Sequence, residues 1–269
     1  MLQSRKYERG YEDSMPETIL YEQPLNEVIR ACLRLEQLFL QLDYYMLDRS
    51  ITGTRQVMFL IINILYLVDR PDLKSKLAKE LNLQLSSLMK LNQSPDVDHL
   101  KFHEVTEQLQ FHAKHLIENS RKIGQRLREV ELLNTLRLQL AHPGGASPFD
   151  MPLYHYWLNQ PADERHAILA DWISEFADIR AAITLLLTLV RQHSHADTKQ
   201  AINGFYQEML DPQSQLRMIC LTITKEHAAF PEISVGRHFL SVRFFTPSIY
   251  RVPVQYNGNV DFSLSYCYL

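Results

Sequence analysis

What this chain lacks narrows its chemistry first. Its 269 residues hold no glycine-rich phosphate loop, no G-x-S-x-G elbow, no H-E-x-x-H pair and no kinase signature. Gly144-Gly145 is a solitary turn with no strand before it, whereas phosphate loops work in a strand-to-helix context. Cysteine is scarce: Cys32, Cys220 and Cys267 lie far apart with no C-x-x-C spacing. That predicts a reducing compartment and thiols that pack as small apolar groups, since nothing in their flanks would activate a thiolate. No sign of charge dominates: 28 Lys and Arg stand against 31 Asp and Glu, a net of -3, so no global basic field draws nucleic acid. The longest apolar run, Val57 to Val68 interrupted by Asn63, falls short of the roughly 20 residues that cross a bilayer. Met1 to Glu17 is charged and polar, which predicts a loose tail rather than a leader. With 46% hydrophobic and 22% charged residues, the expectation is a folded, soluble, cytoplasmic protein without repeats or low-complexity segments.

What is present is helical period up to about residue 200. Leu25, Ile29, Cys32, Leu35, Phe39 and Leu42 recur every three or four residues and predict a first helix behind Pro24. Val57 to Val68 and Ala181 to Val190 are apolar on nearly all sides, which predicts helices at the centre of the fold or in a subunit interface. A third helix is expected from Pro71-Asp72, a fourth over about Val97–Glu118 and a fifth over about Ser120–Leu140. Pro143-Gly144-Gly145 breaks the pattern. A short helix should follow Pro152, then one long helix or two in series through Leu169, Phe176, Ile183 and Val190. After Asn203-Gly204 the period becomes two. His238 to Phe244 and Val260 to Tyr268 alternate, Gln215 to Thr224 reads as a strand buried on both faces, and Asn257-Gly258 signals a hairpin turn. The expected class is α+β: a flexible tail over 1–18, a helical domain over 19–202 and an antiparallel β domain over 203–269.

Two constellations bear on function. His99, His103 and Glu107, spaced i, i+4, i+8, place two or three metal ligands on one helical face, with His112 and His115 later on the same helix. A solvated polar face explains the same residues without a metal. Arginines form the second set: Arg30 and Arg34 one turn apart, Arg121 and Arg128 on the expected fifth helix, Arg237 and Arg243 on an expected strand. The planar fork of arginine suits carboxylates and carbonyls, as in a groove for an acidic peptide. Ion pairs such as Glu27 with Arg30 or Arg128 with Glu131 account for them equally well. No residue set supplies a nucleophile with an orienting base, so no enzymatic activity and no cofactor are expected.

Several blocks in fixed order carry a resemblance. They are Pro24-Leu25-Asn26-Glu27 with Leu33-Arg34-Leu35-Glu36; Arg121-Lys122-Ile123-Gly124-Gln125 with Leu127-Arg128-Glu129; Pro143-Gly144-Gly145, Phe149-Asp150-Met151-Pro152 and His155-Tyr156-Trp157-Leu158; Asn203-Gly204-Phe205-Tyr206-Gln207; and Phe230-Pro231-Glu232-Ile233-Ser234 before Val242-Arg243-Phe244. Over roughly residues 20 to 265 the chain resembles the ZapD family of FtsZ-associated division proteins, also called the YacF family. The resemblance implies a helical domain that forms a homodimer and a basic pocket that binds the C-terminal tail of FtsZ. It implies bundling of FtsZ filaments at the mid-cell ring, with no nucleic-acid partner and no membrane insertion. Pocket residues carry over onto Arg34, His155 and Arg243, and less directly onto Arg70. The chain departs from the family at Glu131 and Phe239, where relatives carry arginine, so Arg128 and Arg237 are expected to serve there, with Arg30 and Arg121 as further cations.

Overall fold

The computed structural model describes residues 17–91, 98–211 and 214–268; the tail expected over 1–18 lies, up to residue 16, outside them. The chain divides into two compact units. One holds Pro24–Ser194 with Gln215–Met218 and the residues from Cys267; the other holds the described residues through Gln23 with His195–Ser214 and Ile219–Tyr266. The expected α+β class is what the structure shows.

The first unit is helical. Asn26 caps α1 (Glu27–Met46) by accepting the Ile29 amide at 2.8 Å, and Ile29, Cys32, Leu35, Phe39 and Leu42 form its buried stripe. Helix α2 (Ile51–Val68) starts at the Ser50 cap, whose hydroxyl accepts from Gly53 at 3.1 Å. By length and composition α2 suffices to cross a membrane, yet 56% of it is buried inside the protein, as in a core helix. Its uncovered side chains include Phe59 and Tyr66. Helices α3 (Leu73–Leu91) and α4 (His99–Glu118) lie along each other, and α1 packs on α2 and α8. The expected fifth helix is not continuous: residues 120–130 form turns and a 3-10 turn at Arg126–Glu129, and α5 runs only over Glu131–Gln139. The break comes from Gly124, at φ 65°, where a Cβ would stand 2.9 Å from Leu65 Cδ2 and 3.1 Å from Phe176 Cε1. Ile123 and Leu127 are spaced like one turn of helix, but close packing forces the chain through a left-handed residue. Then follow α6 (Pro152–Leu158), α7 (Ala162–Ser174) and α8 (Ala177–Gln192), the last two being the pair in series. Met58, Ile61, Leu81, Leu109, Phe176 and Leu186 fill the core of this unit.

The second unit contains two sheets. One has the order β1-β4-β8-β2, from Thr18–Pro24, Leu216–Thr224, Val260–Tyr268 and Ser194–Ala201. The other runs β3-β6-β5, from Phe205–Met209, Phe239–Thr246 and Phe230–Val235, with the short β7 (Val254–Gln255) also on β6. β1 and β2 are strands at the two ends of the stretch read as helical. Both are largely exposed or half-buried, so no period-two apolar pattern marks them. The tight turn sits at Asn203-Gly204, with φ 51° and 70° and paired hydrogen bonds of 3.0 Å between Ile202 and Phe205. Asn257-Gly258 is not a hairpin turn: it carries the chain from β7 in one sheet to β8 in the other, and the Gly204 amide donates to the Gly258 carbonyl at 2.9 Å.

Candidate functional site, an arginine band on the helical unit

Spacings of three and four put Glu27, Arg30 and Arg34 on one face of α1. Arg30 Nε approaches Glu27 Oε1 at 3.6 Å, and Arg70 Nη1 reaches Glu27 Oε2 at 3.8 Å. Arg70 directly follows Asp69, the C-cap residue of α2. Asp69 in turn receives Arg128 Nε at 2.9 Å and Arg137 Nη1 at 3.2 Å. Arg128 also donates to the Ile123 carbonyl, so the Gly124 turn helps to aim it. The Arg137 guanidinium lies over the Tyr66 ring, 4.0 Å from its centroid. Two carboxylates therefore hold four arginines. Arg34, exposed one turn along, makes no hydrogen bond or ion pair among the described residues.

Exposed pairs of this kind contribute little to stability, about 0–1 kcal/mol each, so their main effect is to orient guanidinium groups. The surplus cation is what remains for a ligand. Among the sequence-predicted residues, Arg30, Arg34, Arg70 and Arg128 belong to this band. The expected Arg128–Glu131 pair does not form, because Glu131 meets Thr135 while Arg128 is taken by Asp69. Arg137 was missed; it supplies α5 with the cation that Glu131 lacks, and only its tertiary partner Asp69 reveals it.

The other predicted residues stand elsewhere. Arg121 and Arg128 do not share a helix face, because no helix spans them. Arg121 lines a polar cleft of about 560 Å3 with Lys74, His115 and Arg126. Only part of the charge there is paired: His115 Nε2 meets Asp178 at 3.0 Å and Arg126 binds Asp171 and Glu175 at 3.0 and 2.9 Å, while Lys74 donates to the Arg121 carbonyl at 3.0 Å and the Arg121 side chain meets no carboxylate among the described residues. His155 is exposed on α6, as are Leu153 and Tyr156, and its ring makes no hydrogen bond among the described residues. In the strand unit, Arg243 is exposed on β6, 5.9 Å from the Phe205 centroid. Arg237 does not share a strand with it but lies in the turn before β6, where Gly236 donates to the Phe239 carbonyl at 2.8 Å.

His99, His103 and Glu107 are exposed on α4, His103 Nδ1 lies 3.4 Å from Glu107, and the described residues contain no group of three or more His, Cys, Asp or Glu suited to a metal. All three cysteines are buried thiols, and burial, helped by nearby Glu80 and Glu36, pushes that of Cys32 up to about 12.

Comparison with known proteins agrees with the quoted blocks. A family model described as ZapD, cell division protein, matches residues 33–243. The cell division protein ZapD of Coxiella burnetii (strain RSA 493 / Nine Mile phase I) is 37% identical over 242 residues, spanning 90% of this chain and 91% of the relative. That of Methylococcus capsulatus is 33% identical over 255 residues, 95% of this chain and 100% of the relative. That of Nitrosomonas eutropha is 33% identical over 251 residues, 93% and 100%. On this match over most of its length, the chain belongs to the ZapD family of cell division proteins.

Proposed function

We propose that this protein is a non-enzymatic division adaptor that binds the C-terminal tail of FtsZ and, as a two-fold homodimer, crosslinks FtsZ filaments at the division ring. The observation that carries this reading is the arginine band: four guanidinium groups gathered around Glu27 and Asp69, with Arg34 one turn from Arg30 and unpaired among the described residues. Such a surface offers preset charge-assisted donors to the carboxylates and carbonyls of an extended acidic peptide. His155, with Leu153 and Tyr156, is the proposed grip for apolar side chains of the tail. Arg243 and Arg237 of the strand unit are proposed contacts tested as separate variants. For the dimer, the support is an uncovered seam of the helical unit. Ala181, Thr184 and Thr188 of α8 line a shallow groove with Gln108 and His112 of α4, and Leu40, Tyr44 and Leu47 form an exposed row on α1.

The test is tail-peptide affinity and filament co-sedimentation, using FtsZ with and without its tail. Arg34→Ala is the decisive variant, because it removes a cation without breaking any internal pair. It should cost about 2–5 kcal/mol of binding if its contact is desolvated, with bundling falling more steeply because both sites of a dimer must engage. A folded Arg34→Ala, Arg70→Ala double variant that binds and bundles like the parent would refute the reading.

A further inference from the structure

We propose that the tip of the β6–β7 hairpin, Pro247 to Pro253, is a peripheral membrane-contact element that partitions into the interface of an anionic lipid bilayer. The hairpin is closed at its base by the pairs Phe245 with Gln255 and Thr246 with Val254, and Phe245 also stacks on Phe230 of the neighbouring β5, with centroids 5.8 Å apart. Beyond that base the protein's own packing covers almost nothing. Ile249 is 94% exposed, Tyr250 96% and Val252 86%. Large apolar side chains this open and this close in sequence mark an interaction surface rather than an ordinary loop.

The tip is also built rather than slack. Pro247 and Pro253 fix the backbone on either side, and the Arg251 amide donates to Ser248 Oγ at 3.0 Å, turning the chain at the apex. Its charge is one-sided. Arg251 is the one charged residue from Pro247 to Pro253, and no aspartate or glutamate occurs from Ile233 to Val260; Arg243, farther back on β6, stands opposite Glu232. A convex tip of Ile, Tyr and Val with Arg251 at the same level suits the lipid interface. Aliphatic groups enter the acyl boundary, a tyrosine ring rests among the headgroups and an arginine reaches the phosphates. Such a contact lies on the bilayer and spans nothing. Ile249, Tyr250 and Val252 lie outside the residues proposed for tail binding, so either property can fail without the other.

The experiment is flotation of the full chain with phosphatidylcholine vesicles, alone and with about one-third phosphatidylglycerol. It is paired with a Tyr250→Trp variant read by brominated-lipid quenching in excess of that of the parent, which carries Trp157 and Trp172. The parent should float with the anionic vesicles only. The Ile249→Ser, Tyr250→Ser, Val252→Ser triple variant, with an unchanged thermal midpoint, should lose about tenfold or more in partitioning. Arg251→Gln should lose about fivefold and shed part of the salt dependence. Tryptophan at 250 should be quenched by bromines near the headgroups. The proposal is overturned if the parent does not float with anionic vesicles, or if parent and triple variant float equally. It is overturned equally if the tryptophan signal changes only with protein concentration in the absence of lipid, which would assign the tip to a second copy of the chain.

Discussion

Replacing Gly124 by alanine should damage the helical unit far more than the same change at Gly144, and the difference can be worked from the structure. Both glycines have positive φ, 65° and 72°. A left-handed alanine costs about 1–2 kcal/mol, and that cost is common to both. At Gly144 the new methyl would meet nothing within 4 Å. At Gly124 it would stand 2.9 Å from Leu65 and 3.1 Å from Phe176, both buried, so neither side can yield without disturbing packed neighbours. Overpacking of this kind adds about 1–3 kcal/mol. Gly124→Ala should therefore cost about 2–5 kcal/mol in urea unfolding, with its thermal midpoint lowered by about 2–4 °C per kcal/mol for a unit of this size. Gly144→Ala should stop at about 1–2 kcal/mol. Because the turn also presents the Ile123 carbonyl to Arg128, Gly124→Ala should weaken tail-peptide binding as well. Equal destabilisation by the two substitutions would refute the close-packing account of the break before α5.

Three further outcomes are expected. Cys32, whose thiol burial pushes up to about 12, should react with a thiol reagent at pH 8 only as fast as the unit opens, since burial both shields it and disfavours its thiolate; rapid labelling of native protein would contradict this. Glu80 is buried and bound by Arg217, so Arg217→Met should cost about 3–5 kcal/mol in unfolding experiments, and adding Glu80→Gln should restore part of it. His112 is held below the ordinary 6.5 by burial, with His115 adding to the effect and Asp178 opposing it. The unfolded chain then binds the proton more readily, so this contribution is complete above about pH 6.5 and is lost on acidification. His112→Asn should flatten that part of the stability profile, and an unchanged slope would count against it.

The sequence exposed those parts of the fold whose pattern repeats along the chain. The stripe of α1 from Ile29 to Leu42, the pair α7 and α8, the alternation of β6 from Leu240 to Phe244 and that of β8 from Val260 to Leu264 return with the expected residues inside; beyond Leu264 the order reverses, with Cys267 buried and Tyr268 exposed. Failures came where a distant neighbour overrides local period. Residues 120–130 carry helical spacing, yet Leu65 and Phe176 crowd Gly124 into a turn. β1 and β2 lack alternation because so little of either is buried, so their strand character comes from pairing with partners far along the chain. Asn257-Gly258 has the composition of a hairpin turn, but whether two flanking strands pair is decided by sheet order, which a dipeptide does not encode.

The candidate site divides along the same line. Which arginines exist is plain in the sequence; which of them remain unneutralised is not. Local proximity assigned Arg128 to Glu131, whereas the fold delivers Asp69, 59 residues earlier, and brings Arg137 to the same carboxylate. Glu27 serves both its neighbour Arg30 and the distant Arg70. A chain of net charge -3 thereby acquires a local cationic surplus, because two carboxylates are shared among four arginines and, among the described residues, none reaches Arg34. Shared carboxylates also separate two roles. Arg128 and Arg137 are tied to the scaffold through Asp69, so removing either perturbs the turn and α5 along with any ligand contact. Among the described residues Arg34 is tied to nothing, so its loss should appear in binding and leave unfolding nearly unchanged. That contrast between tethered and free arginines is what distinguishes a ligand-binding band from an ion-pair network that serves stability alone.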